Sequence, residues 1–293
     1  MVRKCVFLFI AVSVFLLTYG HFVRPSNAQE ETAGTTAPQR QTKINYDKSY
    51  QDYVLKVQEY KKAHELYVTA KAQYLRIKTQ KSESTLMDAG MTVLKVRDEV
   101  IIYYLDTLMN RLKDTDGATD ASIKMLQTKA DEEVKWYETH ILSLPTSSSL
   151  TDLTEDSTEA QSRKKDNTDK LIYEILLNIS YAVTEDYSTR FSDLLGAFTQ
   201  KFDIIRADTR EGFAFDAKKV ALIDKYIDEM EIIIERSNDK RETTYVEIAK
   251  VKYKTVAEYN SLLKSLIEAT QYQKDATFEL IETIGEVKTD EVK

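Results

Sequence analysis

From Lys43 onward, apolar positions recur at alternating intervals of three and four residues. This spacing lines one face of an α-helix and, kept up over several heptads, winds neighbouring helices together. The clearest run comes first. Tyr46, Tyr53, Tyr60, Tyr67 and Tyr74 hold an unbroken seven-residue spacing; Tyr50, Val57 and His64 interleave at the four-residue offset, and Ala63 and Ala70 beside the seam leave room for rings. This predicts a helix over residues 44–81, a junction at 82–84 and Ser84 as the next cap. Leu94, Ile101, Leu105, Leu108 and Leu112, widened by Val93, Val100 and Tyr104, predict a second helix ending near Lys113. Asp114-Thr115-Asp116-Gly117 reads as a turn. A third helix over 119–142 carries Ile123, Leu126, Ala130 and Val134 toward Tyr137 and Ile141 and stops before Pro145.

Residues 147–150 read as a loop, and the weakly apolar, charged stretch 151–169 as helical in its later part. A strong helix over 170–210 has one stripe of Ile172, Ile175, Ile179 and Val183 and a second of Phe191, Leu194, Phe198, Phe202 and Ile205, with a break at Gly212. From Phe215, the stripe Val220, Ile223, Ile227, Met230, Ile234, Ser237 alternates without a gap. Apolar density falls at 238–244, where a kink or short loop is expected. The pattern resumes with Val256, Tyr259, Leu263, Leu266, Thr270, Gln273, Thr277, Leu280 and Ile284. As one continuous helix these last two stretches would measure ~100 Å at 1.5 Å per residue.

One proline and five glycines follow Lys43, so few tight loops interrupt the helices. The predicted fold is all-α: an elongated, coiled-coil-like antiparallel bundle of five to six long helices over residues 43–290, with sub-bundles 43–145 and 146–290 sharing a long helix.

The N-terminus changes the picture of compartment. Arg3 and Lys4 precede an apolar run of about fifteen residues, too short for a comfortable membrane span, and Ser26-Asn27-Ala28 follows a polar, Pro-bearing stretch. This is the tripartite form of a secretory signal, residues 1–28, with cleavage expected after Ala28; the alternative is an uncleaved anchor, the one membrane contact expected. Residues 29–42, rich in Thr, Ala and Gln, read as a flexible linker. Either way the remainder is exported, to the periplasm, cell surface or exterior. Cleavage removes three cations and no acid, moving the net charge from −7 to about −10, and removes Cys5, the only cysteine. An acidic chain with interspersed charges argues against nucleic acid, and stability without disulfides must come from the core.

Chemistry is sparse. The mature chain keeps His64 and His140, neither beside a second histidine or a carboxylate at metal-ligand spacing, so no metal or other cofactor is expected. No GxSxG, GxxxxGK[ST] or GxGxxG occurs, and no thiol remains. Neither histidine sits in a Glu-x-x-His pair of the diiron type. Adjacent acids such as Glu132-Glu133 and Glu185-Asp186 diverge by about 100° on a helix and read as solvated. Arg97 is expected to pair with an acid on a neighbouring helix, Trp136 to cap the core, and the triplet Asn178-Ile179-Ser180 to be a fortuitous glycosylation match in mid-helix. The tyrosine ladder with His64 is the sharpest feature. It reads as a packing seam, with an aromatic face for a sugar polymer, peptide or partner helix as the functional alternative.

The tyrosine repeat, Ala70-Lys71-Ala72-Gln73-Tyr74-Leu75, Lys78-Thr79, and Arg97-Asp98-Glu99 followed by Tyr104-Leu105, resembles uncharacterised exported Tyr-heptad helical proteins of candidate-phylum bacteria. The resemblance implies a bacterial envelope protein and transfers no functional residue. The functional expectation is an exported, non-catalytic structural or interaction protein: a spacer, scaffold or adhesin with a protein or envelope-polymer partner, self-association remaining open. A sensor-like bundle that binds a small ligand and works with a membrane partner is the alternative.

Overall fold

The computed structural model describes residues 37–208, 215–250 and 255–288, with side chains from Asn45 onward. The expected signal segment 1–28, residues 29–36 of the linker and the break at Gly212 lie outside the described residues. The order is α1 (Ala37–Ile77), α2 (Gln80–Lys113), α3 (Asp120–Ser143), a 3₁₀ turn (Leu144–Thr146), α4 (Leu150–Arg163), a π turn (Lys164–Thr168), α5 (Asp169–Arg206), α6 (Ala217–Lys250) and α7 (Val256–Lys288). The fold is the all-α helical bundle that the heptads predict. Among the described residues there is no strand, and no helix is long and apolar enough to cross a membrane.

Local chemistry sets the boundaries. The α1–α2 junction falls at Lys78 and Thr79, earlier than the expected Ser84, because the Thr79 hydroxyl accepts from Ser82 N and Ser82 Oγ accepts from Thr79 N. Thr119 caps α3 by accepting from Ser122 N. The preceding turn needs Gly117: its φ is +84°, and a Cβ there would stand 2.2 Å from Ala182 O. Ser149 and Asp152 form a reciprocal cap, so the charged stretch is helical from Leu150 and passes through the π turn into α5 without a break. Residues 37–42, expected as linker, belong to α1.

Contacts across the helices fix the topology. α1 runs antiparallel to α2, with Tyr46 facing Arg111, Ser49 facing Thr107, Tyr53 facing Tyr104 and Lys56 facing Glu99. α3 returns antiparallel along α2; α4 and the first half of α5 then pack on both. The second half of α5 packs with α6 and α7. Ser188 meets Asn238 across the antiparallel α5–α6 pair, Thr184 meets Thr270 across the parallel α5–α7 pair, and Ser237 meets Ala269 across the antiparallel α6–α7 pair. The shared long helix is therefore the rod α4–π–α5, and packing does not divide at 145/146, because α4 closes the first set of helices.

The structure corrects one expectation on the last helices and answers one question left open. α6 is helical through 238–244 with no intervening loop, and Ser237, Arg241 and Thr244 occupy the buried positions that apolar residues would otherwise fill. The two C-terminal stretches are separate antiparallel neighbours and not one continuous helix. Stripe assignments also shift: Val183 and Leu194 are 44% and 59% exposed, while Ala182 and Leu195 face inward as α5 changes partners. Phe191, Leu195 and Phe202 join Ile223, Ile227, Met230, Ile234, Ala276, Leu280 and Val287 in one apolar cluster.

Candidate functional site

The tyrosine ladder lies on the face of α1 that meets α2. Tyr53 is buried against Tyr104 with centroids 5.1 Å apart; Tyr46, Tyr60, Tyr67, Tyr74 and His64 are half-buried. Tyr50 bridges Tyr46 and Tyr53 at 6.3 and 6.4 Å, Arg111 sits over the Tyr46 ring, and Tyr67 faces Gly90, where a Cβ would stand 3.0 Å from Leu153 Cδ1. Burial pushes the Tyr53 hydroxyl up to about 12. His64 keeps company with Tyr60 at 6.0 Å. The ladder packs in the seam between α1 and α2.

The polar chemistry collects between α2, α3 and α4. Asp98 is fully buried and accepts His140 Nδ1 at 2.5 Å and Arg97 Nε and Nη2 at 3.1 Å each. Arg97 thus pairs with the next residue in its own helix, not with an acid on another, and its Nη1 reaches Ser157 of α4 at 3.4 Å. The bond to Asp98 raises the His140 pKa against the opposing effect of burial. His140 Nε2 is buried without a partner. Trp136 lies nearly parallel to the His140 ring, 5.2 Å away and 9° from coplanar, and stands edge-on to Tyr137.

One turn along α3, Glu133 is buried and holds Arg163 through Nε at 3.1 Å and Nη2 at 2.6 Å. Thr168 Oγ1 donates to Glu133 at 2.6 Å and lies 2.8 Å from Tyr137 Oη. Arg163 and Thr168 are five residues apart, about 140° on an α-helix. The wider π turn between them brings both to the same carboxylate. Arg163 also lies 5.3 Å from the Trp136 ring centre. Glu132, Lys135, Trp136, Thr139, His140, Ser143, Glu159 and Arg163 line a shallow cleft of about 350 Å³ beside this network. Its charges are mixed, and the two core carboxylates of the neighbouring network, Asp98 and Glu133, are already engaged; the recess has one aromatic wall, and the His140 ring that lines it keeps its buried Nε2 without a partner.

Sequence reading treats His140 as isolated and the Glu132-Glu133 pair as solvated; Glu132 is exposed, but Glu133 and His140 are core residues. A strict count would find them. Leu126, Ala130, Glu133, Tyr137, His140, Leu144 keeps an unbroken 4-3 alternation, and Asp98 fills the seven-residue gap between Leu94 and Ile101. Glu185 and Asp186 are engaged too, with Arg241 at 3.0 Å and Arg190 at 2.9 Å. Asn178 is buried and donates to Glu174 O, which closes its triplet to glycosylation in the folded chain. No group of three or more His, Cys, Asp or Glu side chains is placed to hold a metal among the described residues. Comparison with family models, curated proteins and solved structures returns no match for this chain.

Proposed function

We infer that this chain is a non-catalytic helical scaffold of the bacterial cell envelope, exported through its N-terminal segment and working by presenting long helical faces to a protein or polymer partner. One observation carries the reading: most groups capable of chemistry are spent holding helices together. The tyrosine ladder fills the α1–α2 seam, Asp98 and His140 pin α2 to α3, and Glu133 ties α3 to the rod through Arg163 and Thr168. Exposed apolar residues such as Leu194, Ile204 and Ile232 supply contact surface on α5 and α6. Cell fractionation with photocrosslinkers at Leu194 and Ile232 tests this: discrete adducts with one envelope component are expected. Recovery as an uncrosslinked cytoplasmic monomer overturns it.

A ligand-binding, sensor-like bundle is the second reading, and the Trp136–His140 cleft favours it. A saturable metabolite-induced thermal shift, accompanied by a change in Trp136 emission and lost in Trp136→Phe, would promote this reading over the scaffold.

A further inference from the structure

We propose that the α1–α2 hairpin tip docks onto an anionic bilayer surface. The whole chain is acidic, yet residues 66–82 contain Lys71, Arg76, Lys78 and Lys81 and no acid. All four cations are exposed, and no described ion pair engages them. At the same place Leu75 and Ile77 are 60% and 47% exposed, with Tyr74 half-buried beside them. Some cations elsewhere are matched locally, as Lys129 is by Glu174 and Arg190 by Asp116 and Asp186. At this tip, then, cations without a described ion pair (Lys71 lying over the Tyr67 ring) and bare aliphatic surface coincide on a stretch without acids.

The distribution of these side chains selects the occupant. Leu75, Arg76, Ile77 and Lys78 are consecutive and all exposed, so they point around the helix end and not along one stripe. A partner helix or groove covers one stripe of about 100–140°. A fluid interface meets a hairpin end from all sides, taking aliphatic groups into the acyl boundary while lysine and arginine reach the phosphates. Lys78 adds a second indication. It has φ +47°, a conformation in which glycine is at ease and a side chain is strained, so the turn carries a cation where an uncharged residue would fit better. Each cation near an anionic surface is worth roughly a fivefold gain in partitioning. The inference stands on the hairpin alone and does not depend on the scaffold reading.

A local probe tests it in the full chain. Cys5→Ser with Ile77→Cys carries an environment-sensitive dye, and vesicles of phosphatidylcholine alone or mixed equally with phosphatidylglycerol are added. The apolar run at residues 5–19 would tether the chain to either vesicle, so dependence on anionic lipid and on the tip is what reads the hairpin. A blue shift with the anionic vesicles is expected, with partitioning at least about tenfold weaker in phosphatidylcholine or in high salt. Reversing Lys71, Arg76, Lys78 and Lys81 to glutamate should abolish the shift with helical content unchanged; Leu75→Ser, a milder change, should weaken it severalfold. The same dye at Ile204→Cys should stay silent. A shift that is equal in both vesicles, survives charge reversal, or arises without vesicles as protein concentration rises overturns the proposal; the last outcome would assign the tip to a second copy.

Discussion

Asp98→Asn removes a charge without changing shape, which makes it a direct probe of the α2–α3 junction. The carboxylate is fully buried and accepts three charge-assisted hydrogen bonds, one from His140 and two from Arg97. Removing one member of a buried pair costs about 3–5 kcal/mol. Arg97 keeps 24% of its side chain exposed, so solvent recovers part of its charge and the loss belongs at the lower end, about 3 kcal/mol. The loss should depend on pH. His140 has a folded-state pKa raised first by its bond to Asp98, with Asp156 adding and burial and Arg97 opposing. The folded chain therefore keeps a proton that the unfolded chain has released. That stabilisation is complete below the unfolded value of roughly 6.5 and is lost as pH rises through the folded value. Urea unfolding followed by far-ultraviolet circular dichroism, from about pH 6 to pH 9, measures it. Emission from Trp136, stacked on His140, reports the same titration locally. The gap between wild type and Asp98→Asn should be widest at the acid end and shrink with rising pH. A gap that is flat across the range, or below about 1 kcal/mol at pH 6, refutes the pairing as a source of stability.

Gly117→Ala should cost about 3 kcal/mol in a denaturant titration, because the added Cβ meets backbone at Ala182 in a left-handed turn; a change within error would show that the turn relaxes freely. Gln273→Leu should raise the denaturation midpoint, by about 1 kcal/mol in stability: Gln273 is fully buried with Oε1 unpartnered, and its one bond, to Thr184 O, is worth less than that desolvation. A lowered midpoint would mean that Oε1 has a partner in solution. Thr79→Ala should cost about 1 kcal/mol and increase amide exchange in the first turn of α2, where the Thr79 hydroxyl is a cap; unchanged exchange there would argue that Ser84 sets the boundary.

What was legible in the sequence was whatever repeats locally. The ladder from Tyr46 to Tyr74 and the stripe from Ile223 to Ser237 place their helices and inward faces because each residue's orientation follows from its neighbours three and four positions away. Reading stripes by apolarity alone is what failed. Asp98, Glu133, His140, Arg241 and Thr244 hold seam positions, and treating polar residues as solvated suggested an interruption in a continuous α6 and sent Val134 and Ile141 inward ahead of Glu133 and His140. Val183 and Leu194 failed differently, since α5 exchanges one set of partners for another along its length and its inward face turns with them. The pairing of Asp98 with His140 joins residues on separate helices, and no local rule connects them.

The same polar seam residues answer a question that heptads alone leave open, namely how long rods find one register. A purely apolar 3-4 seam can slide by a heptad and bury nearly the same surface, so it specifies that helices pack but weakly specifies where. Here several interfaces carry a buried polar contact. Thr107 meets Ser49 O on α1, Asp98 meets His140 on α3, Glu133 meets Arg163 and Thr168 on the rod, and Ser237 meets Ala269 O between α6 and α7. A heptad slip at the Asp98–His140 or Glu133–Arg163 contact leaves a buried charge unpaired, at a cost of about 3–5 kcal/mol, whereas Thr107 would keep its second bond, to Tyr103 O. The rod α4–π–α5 feels this twice, at Arg163 and Thr168 toward α3 and at Thr184, Glu185 and Ser188 toward α6 and α7. Register in the first set of helices is thereby transmitted along one rod to the second.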